Sequence, residues 1–282
     1  MRVIPLSEFV VLERPQLKWL IPGLIPQPGW ILLLGEPKCG KTTFALQLAL
    51  AVAQGKSFFP GTSCHQGRVL FLQFDTSELV WRRRILDTQA TGHDISGPVL
   101  TVHPDDEMRP INIADMKAQN WLKDAISQAQ PSLIVTDVLR ELHNGDENDS
   151  AAMKTAGDVL YNLTRNCATL ILHHSKKMEA GSYCDPIQAS RGSSYITGKA
   201  DSVWMIHENS LRIVPRFAER KTYTLLRGGV EQAGLWSFTG SSPSATLKDE
   251  IAAGKWGYDT KKNKMVQLGE PTPHAQPLAS LP

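Results

Sequence analysis

The chain has 282 residues, of which 41% are hydrophobic and 21% charged, and its formal net charge is +2. This is the composition of an ordinary soluble globular protein and excludes a polycation, so any contact with nucleic acid must come from a local patch. The longest strongly apolar run, WILLL at 30–34, is far shorter than the ~20 residues that a membrane-spanning helix needs. The N-terminus lacks the apolar segment of a signal peptide, so we expect a cytoplasmic protein without a membrane partner.

Strand-like and helix-like segments alternate along most of the chain, after an irregular N-terminal arm over residues 1–28. Pro15, Pro22, Pro26 and Pro28 exclude a long helix in that arm. Strands are predicted at 30–35, 67–74, 98–103, 132–137 and 169–174, and helices at 41–54, 78–90, 113–129 and 150–166. Continuously apolar strands that alternate with helices predict an α/β fold, with a mostly parallel sheet covered by helices on both faces.

The pattern changes after Asp201, where short β-like runs are joined by tight loops. These runs predict an antiparallel extension of the sheet at its C-terminal side. Beyond residue 240 the composition shifts towards Ser, Gly, Pro and Lys, which predicts a polar, flexible tail over 241–282. The main domain is therefore expected over residues 29–240.

A phosphate-binding loop follows the first predicted strand, where GEPKCGKT at 35–42 matches G-x-x-x-x-G-K-[ST]. Gly35 and Gly40 allow backbone conformations in which the loop's N–H groups point inward around phosphates. Lys41 would place a positive charge between the β- and γ-phosphates, and the Thr42 hydroxyl would bind Mg²⁺. We therefore predict ATP and Mg²⁺ as ligands. The predicted binding loop consists of Gly35, Glu36, Pro37, Lys38, Cys39, Gly40, Lys41, Thr42 and Thr43.

Carboxylates follow two other predicted strands. Asp137 ends SLIVTD, where it can hold Mg²⁺ through water or merely cap the next segment. Asp75 ends GRVLFLQFD, and Glu78 follows three residues later. Either one could be the base that activates the attacking water, although Glu78 could equally be a first-turn residue of the next helix. We favour Asp75 as the base and Asp137 as the Mg²⁺ ligand.

A histidine pair, His173 and His174, ends the apolar run of LILHHSKK. The pair by itself fits a metal ligand, a catalytic base, a sensor of a neighbouring group or a packed histidine. A zinc site would need further ligands, and none is spaced suitably nearby. The segment that follows, 175–194, is too long for an ordinary turn, and loops of this length usually have a function.

Four segments together resemble the RecA-like ATPases of the RepA type, the small hexameric replicative helicases of plasmids. The segments are GEPKCGKTTFALQLALAVAQG, LIVTDVLRELHNGDEND, LILHHSKK and QASRGSS, in the family's order and at about its separations. This family is related to the DnaB-type helicase core and, more broadly, to AAA-family P-loop ATPases. The resemblance covers roughly residues 15–240, and the LHH-S-K…QASRGSS combination is its most specific part.

The resemblance implies a RecA-like ATPase domain over 29–240 and a homo-oligomeric ring with ATP bound between subunits. It implies that Lys41 and Thr42 bind phosphate and Mg²⁺, and that Asp137 is the Mg²⁺ aspartate. Where the family usually has a catalytic glutamate, this chain has Asp75, a shorter side chain. The histidine pair stands at the family's γ-phosphate sensor, so both His173 and His174 are carried over.

The loop after the histidines faces the central pore in RecA-like rings, so the resemblance implies that it contacts single-stranded DNA. The DNA-binding candidates are Lys176, Lys177, Arg191 and Ser193. HNGDENDS at 143–150 is a second, acidic candidate for a pore loop. A cationic finger from the neighbouring subunit is also expected, with Arg216 as the first candidate and Arg220 and Lys221 behind it.

The predicted function is an ATP-dependent motor on single-stranded DNA, most specifically a hexameric replicative helicase of plasmid or phage type. The main alternative is a RecA-like ATPase of recombination, annealing or helicase loading that does not unwind DNA by itself. A nucleotide-gated regulator with little turnover is a further alternative, because Asp75 is shorter than the family's glutamate. A small-molecule kinase would need an arginine-bearing lid and an acceptor pocket, and the sequence has neither pattern.

Overall fold

The computed structural model describes residues 3–11, 18–103, 111–142, 150–178, 184–190, 194–243, 256–259 and 264–267. Its helices are α1 (Leu6–Val11), α2 (Lys41–Gln54), α3 (Glu78–Ala90), α4 (Met116–Ala129), α5 (Ser150–Thr164), α6 (Pro186–Ala189) and α7 (Ser194–Lys199). The N-terminal strands are β1 (Lys18–Ile21), β2 (Ile25–Gln27), β3 (Gly29–Gly35), β4 (Ser57–Phe59), β5 (Thr62–Ser63), β6 (Val69–Gln73) and β7 (Val99–Val102). The remaining strands are β8 (Leu133–Asp137), β9 (Ala168–His174), β10 (Ser202–His207), β11 (Ser210–Pro215), β12 (Lys221–Arg227), β13 (Trp236–Pro243), β14 (Trp256–Asp259) and β15 (Lys264–Gln267).

A nine-stranded sheet in the order β13-β12-β11-β10-β3-β9-β8-β6-β7 forms the centre of the molecule. The strands from β10 to β7 run parallel, and β11, β12 and β13 extend the sheet antiparallel. The predicted α/β class and its antiparallel C-terminal extension are therefore confirmed. One detail was wrong, because the first run after Asp201, β10, pairs parallel with β3 and only β11 turns back.

Helices cover both faces of the sheet and divide the buried apolar side chains into two clusters. One cluster joins α2 to the sheet, and the other lies beneath α4, α5 and α7. Helix α2 has the predicted bounds, because its side chains are apolar nearly all round and Gly55 ends it with a left-handed φ of 66°. Helix α4 begins three residues later than predicted, at Met116, because Asp115 takes the extended conformation of an N-cap.

The predicted N-terminal arm contains more structure than its prolines suggested. Residues 18–27 form the antiparallel pair β1 and β2, in which Leu20, Ile21 and Ile25 are almost completely buried against the α2 cluster. Proline excludes a long helix but is compatible with a short two-stranded pair, and Pro26 lies opposite Trp19 in this one. The domain boundaries at residues 28 and 240 stay predictions.

The predicted tail over 241–282 also contains described strands. Residues 241–243 complete β13, and β14 pairs antiparallel with β15. WGYD and KMVQ contain aromatic or β-branched residues that favour strands, which the shift in composition concealed. Among the described residues, no helix is both long and apolar enough to cross a membrane.

Candidate nucleotide-binding site

The predicted phosphate loop lies where β3 ends and α2 begins, at the carboxyl edge of the parallel strands. Gly40 precedes α2 with a φ of 100°, and a Cβ there would lie 2.9 Å from the Trp236 indole nitrogen. A Cβ at Gly35 would lie 2.6 Å from the Cys39 sulfur. Both glycines of the motif are thus required by the backbone or by close packing, and they leave the loop's N–H groups next to the N-terminus of α2.

Lys41 is 7% exposed, and its ammonium group donates hydrogen bonds back to the loop. The acceptors are the carbonyl oxygens of Gly35 and Glu36, at 2.9 and 3.0 Å. Burial lowers the pKa of Lys41, while Cys39, Asp137 and Asp75 oppose that change. The loop therefore holds a buried cation at the N-terminus of α2, and this positive charge together with the loop's N–H groups fits a phosphate group.

Asp137 ends β8 and is almost completely buried. Burial raises the pKa of this carboxyl, and hydrogen bonds from Thr42 and Gln73 act in the opposite direction. The Gln73 amide donates to Asp137 Oδ2 at 3.1 Å. The contact between the Thr42 hydroxyl and the Asp137 carboxylate brings together the two predicted Mg²⁺ ligands. A hydroxyl beside a carboxylate suits this hard cation, which prefers oxygen ligands.

The two candidate bases, Asp75 and Glu78, occupy different surroundings. Asp75 is exposed in the turn after β6, close enough to influence the pKa values of both Lys41 and Asp137. Glu78 is exposed at the start of α3 and forms an ion pair with Arg82, at 2.5 Å. The position of Asp75 favours it over Glu78 as the base, in agreement with the sequence-based preference, although its role stays a prediction.

The sheet register separates the two histidines. His174 is the register partner of Gly35 in β3, on the same face as Leu172 and α2. His173 is completely buried and points to the opposite face, because neighbouring residues of a strand alternate. His174 is therefore the better candidate for a γ-phosphate sensor, and His173 lies on the side of α4 and α5.

The described part of the predicted DNA loop is attached to the phosphate loop. Lys176 and Lys177 are exposed directly after β9, and the Lys176 ammonium donates to the Gln188 carbonyl at 3.2 Å. The backbone N–H of Met178 donates to Glu36 Oε1 at 3.0 Å. The other two DNA-binding candidates, Arg191 and Ser193, lie outside the described residues, as do residues 143–149 of the second loop.

The first finger candidate, Arg216, lies near the start of β10, because Pro215 pairs with Ser202. Its guanidinium donates to the carbonyl oxygens of Gly198 and Ala200 at the end of α7, at 2.8 and 3.2 Å. This is the sheet edge opposite the phosphate loop, so Arg216 does not belong to the site of its own chain. Arg220 forms an ion pair with Asp185 at 2.8 Å.

Arg84 is a site residue that the sequence analysis did not identify. The neighbouring Arg82 and Arg83 form exposed ion pairs with Glu78 and Asp87. Arg84 instead lowers the pKa of Asp137, and its buried Nη1 has no hydrogen-bond partner among the described residues. Arg84 lies three residues after Trp81 and four before Thr88, the two buried residues of α3, so it is on the inward face of the helix. This spacing is the feature of the sequence that could have identified Arg84.

The end of β12 and the start of β13 cover the phosphate loop from the other side. Arg227 donates to the Lys38 carbonyl at 3.1 Å, and the Trp236 indole donates to the Gly40 carbonyl at 3.1 Å. A cavity of about 960 Å³ opens beside them, between α3 and the turn that joins these strands. Its walls include Thr43, Val80, Arg84, Arg227, Gly229 and Ala233. No local pattern in the sequence linked these distant segments.

Residues 5–180 match the family model AAA_25, described as an AAA domain, so the chain belongs to this family. The structure is similar to the crystal structure of a KaiC-like protein from the hyperthermophilic archaeon Pyrococcus horikoshii, with a TM-score of 0.52 and 15% sequence identity. The similar region covers 78% of this chain and 94% of that one, and at this identity it shows the fold alone. No curated protein matches the sequence. The chain is therefore a P-loop ATPase with a RecA-like fold, and the finer resemblance to RepA-type helicases stays a prediction.

Replacing Asp137 by Asn is expected to raise the melting temperature of the nucleotide-free protein at neutral pH. Burial raises the pKa of Asp137 above its unfolded value, so the stability that this carboxyl contributes is present in acid and lost as the pH rises through the folded pKa. The difference in melting temperature between variant and wild type should therefore grow from about pH 4 to pH 8. Thermal unfolding measured across this range checks the prediction, with the exposed Asp124→Asn as the control. A constant difference would contradict it.

Proposed function

We propose that this protein is an ATP-dependent motor on single-stranded DNA, specifically a ring-forming, hexameric DNA helicase of plasmid or phage type. The observation that carries the proposal is the direct link between the two candidate sites. Glu36 of the phosphate loop accepts a hydrogen bond from Met178, next to the exposed Lys176 and Lys177. A change in the nucleotide can thus move the segment that bears the candidate DNA contacts.

The first turn of the proposed DNA loop is hydrogen-bonded to the phosphate loop and to residues 189–190. The backbone N–H of Ser175 donates to the Gly35 carbonyl at 3.1 Å, so β9 and the phosphate loop stay joined beyond the strand's end. Ser175 also pairs with Ser190 in an isolated antiparallel β-bridge, and the Lys176 N–H donates to the Ala189 carbonyl at 2.8 Å. Backbone contacts therefore join residues 175–176 to residues 189–190, next to the candidate DNA contacts Lys176 and Lys177.

Both candidate DNA segments lead into one pair of helices, which would couple their movements. Helix α5 begins directly after residues 143–149, and α7 begins directly after residues 191–193. The Asp158 carboxylate of α5 accepts hydrogen bonds from Tyr195 and Lys199 of α7. At Gly157 the helices are so close that a Cβ would lie 2.4 Å from Ile196 Cδ1. A contact at either segment would thus reach the same helix pair.

The chemistry assigned to the site is the hydrolysis of ATP. Lys41 and the loop N–H groups would bind the phosphates, while Thr42 and Asp137 would hold Mg²⁺, which neutralises charge on the β- and γ-phosphates when bound. Asp75 would accept the proton of the attacking water, and His174 would donate a hydrogen bond to the γ-phosphate. The cavity lined by Val80 and Arg227 offers room for the base and ribose.

A ring would explain a cationic group that cannot act within its own chain. Arg216 lies at the sheet edge opposite the phosphate loop, so it could act only on the site of a neighbouring subunit. Its present hydrogen bonds to the end of α7 would have to open for that role. Arg216 is therefore the proposed finger, in a homo-oligomer whose subunits share ATP sites.

The proposed unwinding activity is tested by strand displacement from a forked duplex with ATP and Mg²⁺. We expect the wild-type protein to release the labelled strand and the Lys41→Ala variant to release none, because Lys41 is the buried cation of the phosphate loop. ATP hydrolysis that single-stranded DNA stimulates, without any strand release, would contradict autonomous unwinding. That outcome would favour the alternative of a recombination or loading ATPase.

The proposed DNA contact predicts that the double variant Lys176→Ala/Lys177→Ala binds single-stranded DNA about tenfold more weakly at low salt. Each lost phosphate contact should also reduce the slope of log affinity against log salt concentration by ~0.7. Fluorescence anisotropy at several salt concentrations measures both quantities. The matched control is Lys117→Ala/Lys123→Ala, which removes the same charge from exposed positions on α4. Equal affinities and slopes for the two double variants would contradict the assignment.

A further inference from the structure

Gln73 is a completely buried, uncharged polar residue at the end of β6, between the two candidate carboxylates. We propose that it is a positioning residue, which orients the Asp137 carboxylate and links it to the turn that carries Asp75. The proposal requires that this edge of the sheet binds and hydrolyses a nucleotide, but it does not depend on DNA as the partner.

The two ends of the Gln73 amide have different partners. Its Nε2 donates to Asp137 Oδ2 at 3.1 Å, and its Oε1 accepts from the backbone N–H groups of Asp75 and Thr76, at 3.0 and 3.4 Å. The reversed orientation would place the NH₂ group against two N–H donors and the carbonyl oxygen against a carboxylate. The network therefore defines the orientation, and one side chain connects a strand end to the neighbouring turn.

The need to satisfy buried backbone groups does not by itself account for Gln73. The N–H groups of Phe74 and Asp75 already donate to the Asp137 carbonyl, at 2.7 and 3.2 Å. An apolar side chain at position 73 would thus leave both with a partner, and of the two N–H groups that Gln73 accepts from, only that of Thr76 would lose its bond, which is the longer one at 3.4 Å. What Gln73 adds is a donor to the Asp137 carboxylate itself, and this hydrogen bond fixes the direction in which the carboxylate points at the strand end.

The turn after β6 is also supported from its far side. The His103 ring nitrogen Nε2 lies 2.8 Å from the Thr76 carbonyl oxygen, just beyond the end of β7. Thr76 is thus held between Gln73 and His103, with Asp75 next to it. This support leaves Asp75 exposed while its backbone is fixed, which is the arrangement that a base needs to meet a water molecule at a constant place.

The test replaces Gln73 by Met, which has a similar length and no hydrogen-bonding amide. Partners that orient a metal ligand typically change metal affinity or activity by ~10–100-fold. We therefore expect kcat for ATP hydrolysis to fall by about that factor, with KM and the Kd of a fluorescent ADP analogue changed less than about twofold. Mn²⁺ affinity, measured by electron paramagnetic resonance with a non-hydrolysable ATP analogue, should fall by a similar ~10–100-fold.

Thr164→Val is the matched control, because it also removes buried hydrogen bonds. The Thr164 hydroxyl accepts from the Trp30 indole at 3.0 Å and donates to the Leu160 carbonyl at 3.0 Å, at the opposite end of β3. We expect it to lower the melting temperature and to leave kcat and Mn²⁺ affinity unchanged. If Gln73→Met does not fold, Gln73→Asn is used instead, because it keeps the amide on a shorter side chain. We then expect a smaller fall in kcat, again with nearly unchanged nucleotide affinity.

Two results would overturn the proposal. One is a folded Gln73 variant whose kcat and Mn²⁺ affinity both stay within twofold of wild type, which would make the residue a packing element. The other is a parallel loss of kcat and nucleotide affinity, which would assign it to binding rather than positioning. A wild-type protein that fails to unwind DNA would not affect this test, because Mn²⁺ affinity is read without DNA and without turnover.

Discussion

The buried carboxylate of Asp137 is the constraint on which the rest of the site depends. Burial disfavours its charge, so the surrounding protein has to supply donors and cations if the group is to stay ionised. Thr42 and Gln73 donate hydrogen bonds to it, and Arg84 contributes a positive charge. Each partner comes from a different element, namely α2, β6 and α3. Stabilising this one carboxylate therefore requires that all three elements come together around it.

Parallel strands explain why these groups meet. The carboxyl ends of β3, β9, β8 and β6 lie side by side at one edge of the sheet, and they carry the phosphate loop, His174, Asp137 and the turn with Asp75. Strand β9 lies between the phosphate loop and Asp137 and continues directly into Lys176 and Lys177. The strand that ends at His174, in the candidate nucleotide site, therefore also leads into the proposed DNA-binding segment.

Local chemistry was enough to predict much of this arrangement from the sequence. The bounds of α2 and α3 follow from nearby signals, such as Gly55 after one helix and the Ser77 cap before the other. Tertiary features were harder, since the parallel partner of β10 and the Trp236 contact with Gly40 join segments that are far apart in the chain. The two histidines could be separated only through the sheet register, which the amino-acid sequence does not specify.

The most direct measurement of the central claim is a crystal structure of the complex with Mn²⁺ and a non-hydrolysable ATP analogue, with the metal located by its anomalous scattering. We expect the ion between Thr42 and Asp137, the phosphates around Lys41, and the terminal phosphate facing His174 and Asp75. A metal bound elsewhere, or a terminal phosphate that points away from the turn with Asp75, would contradict it. Either result would also show directly whether Gln73 still bridges the two carboxylate-bearing segments when the site is filled.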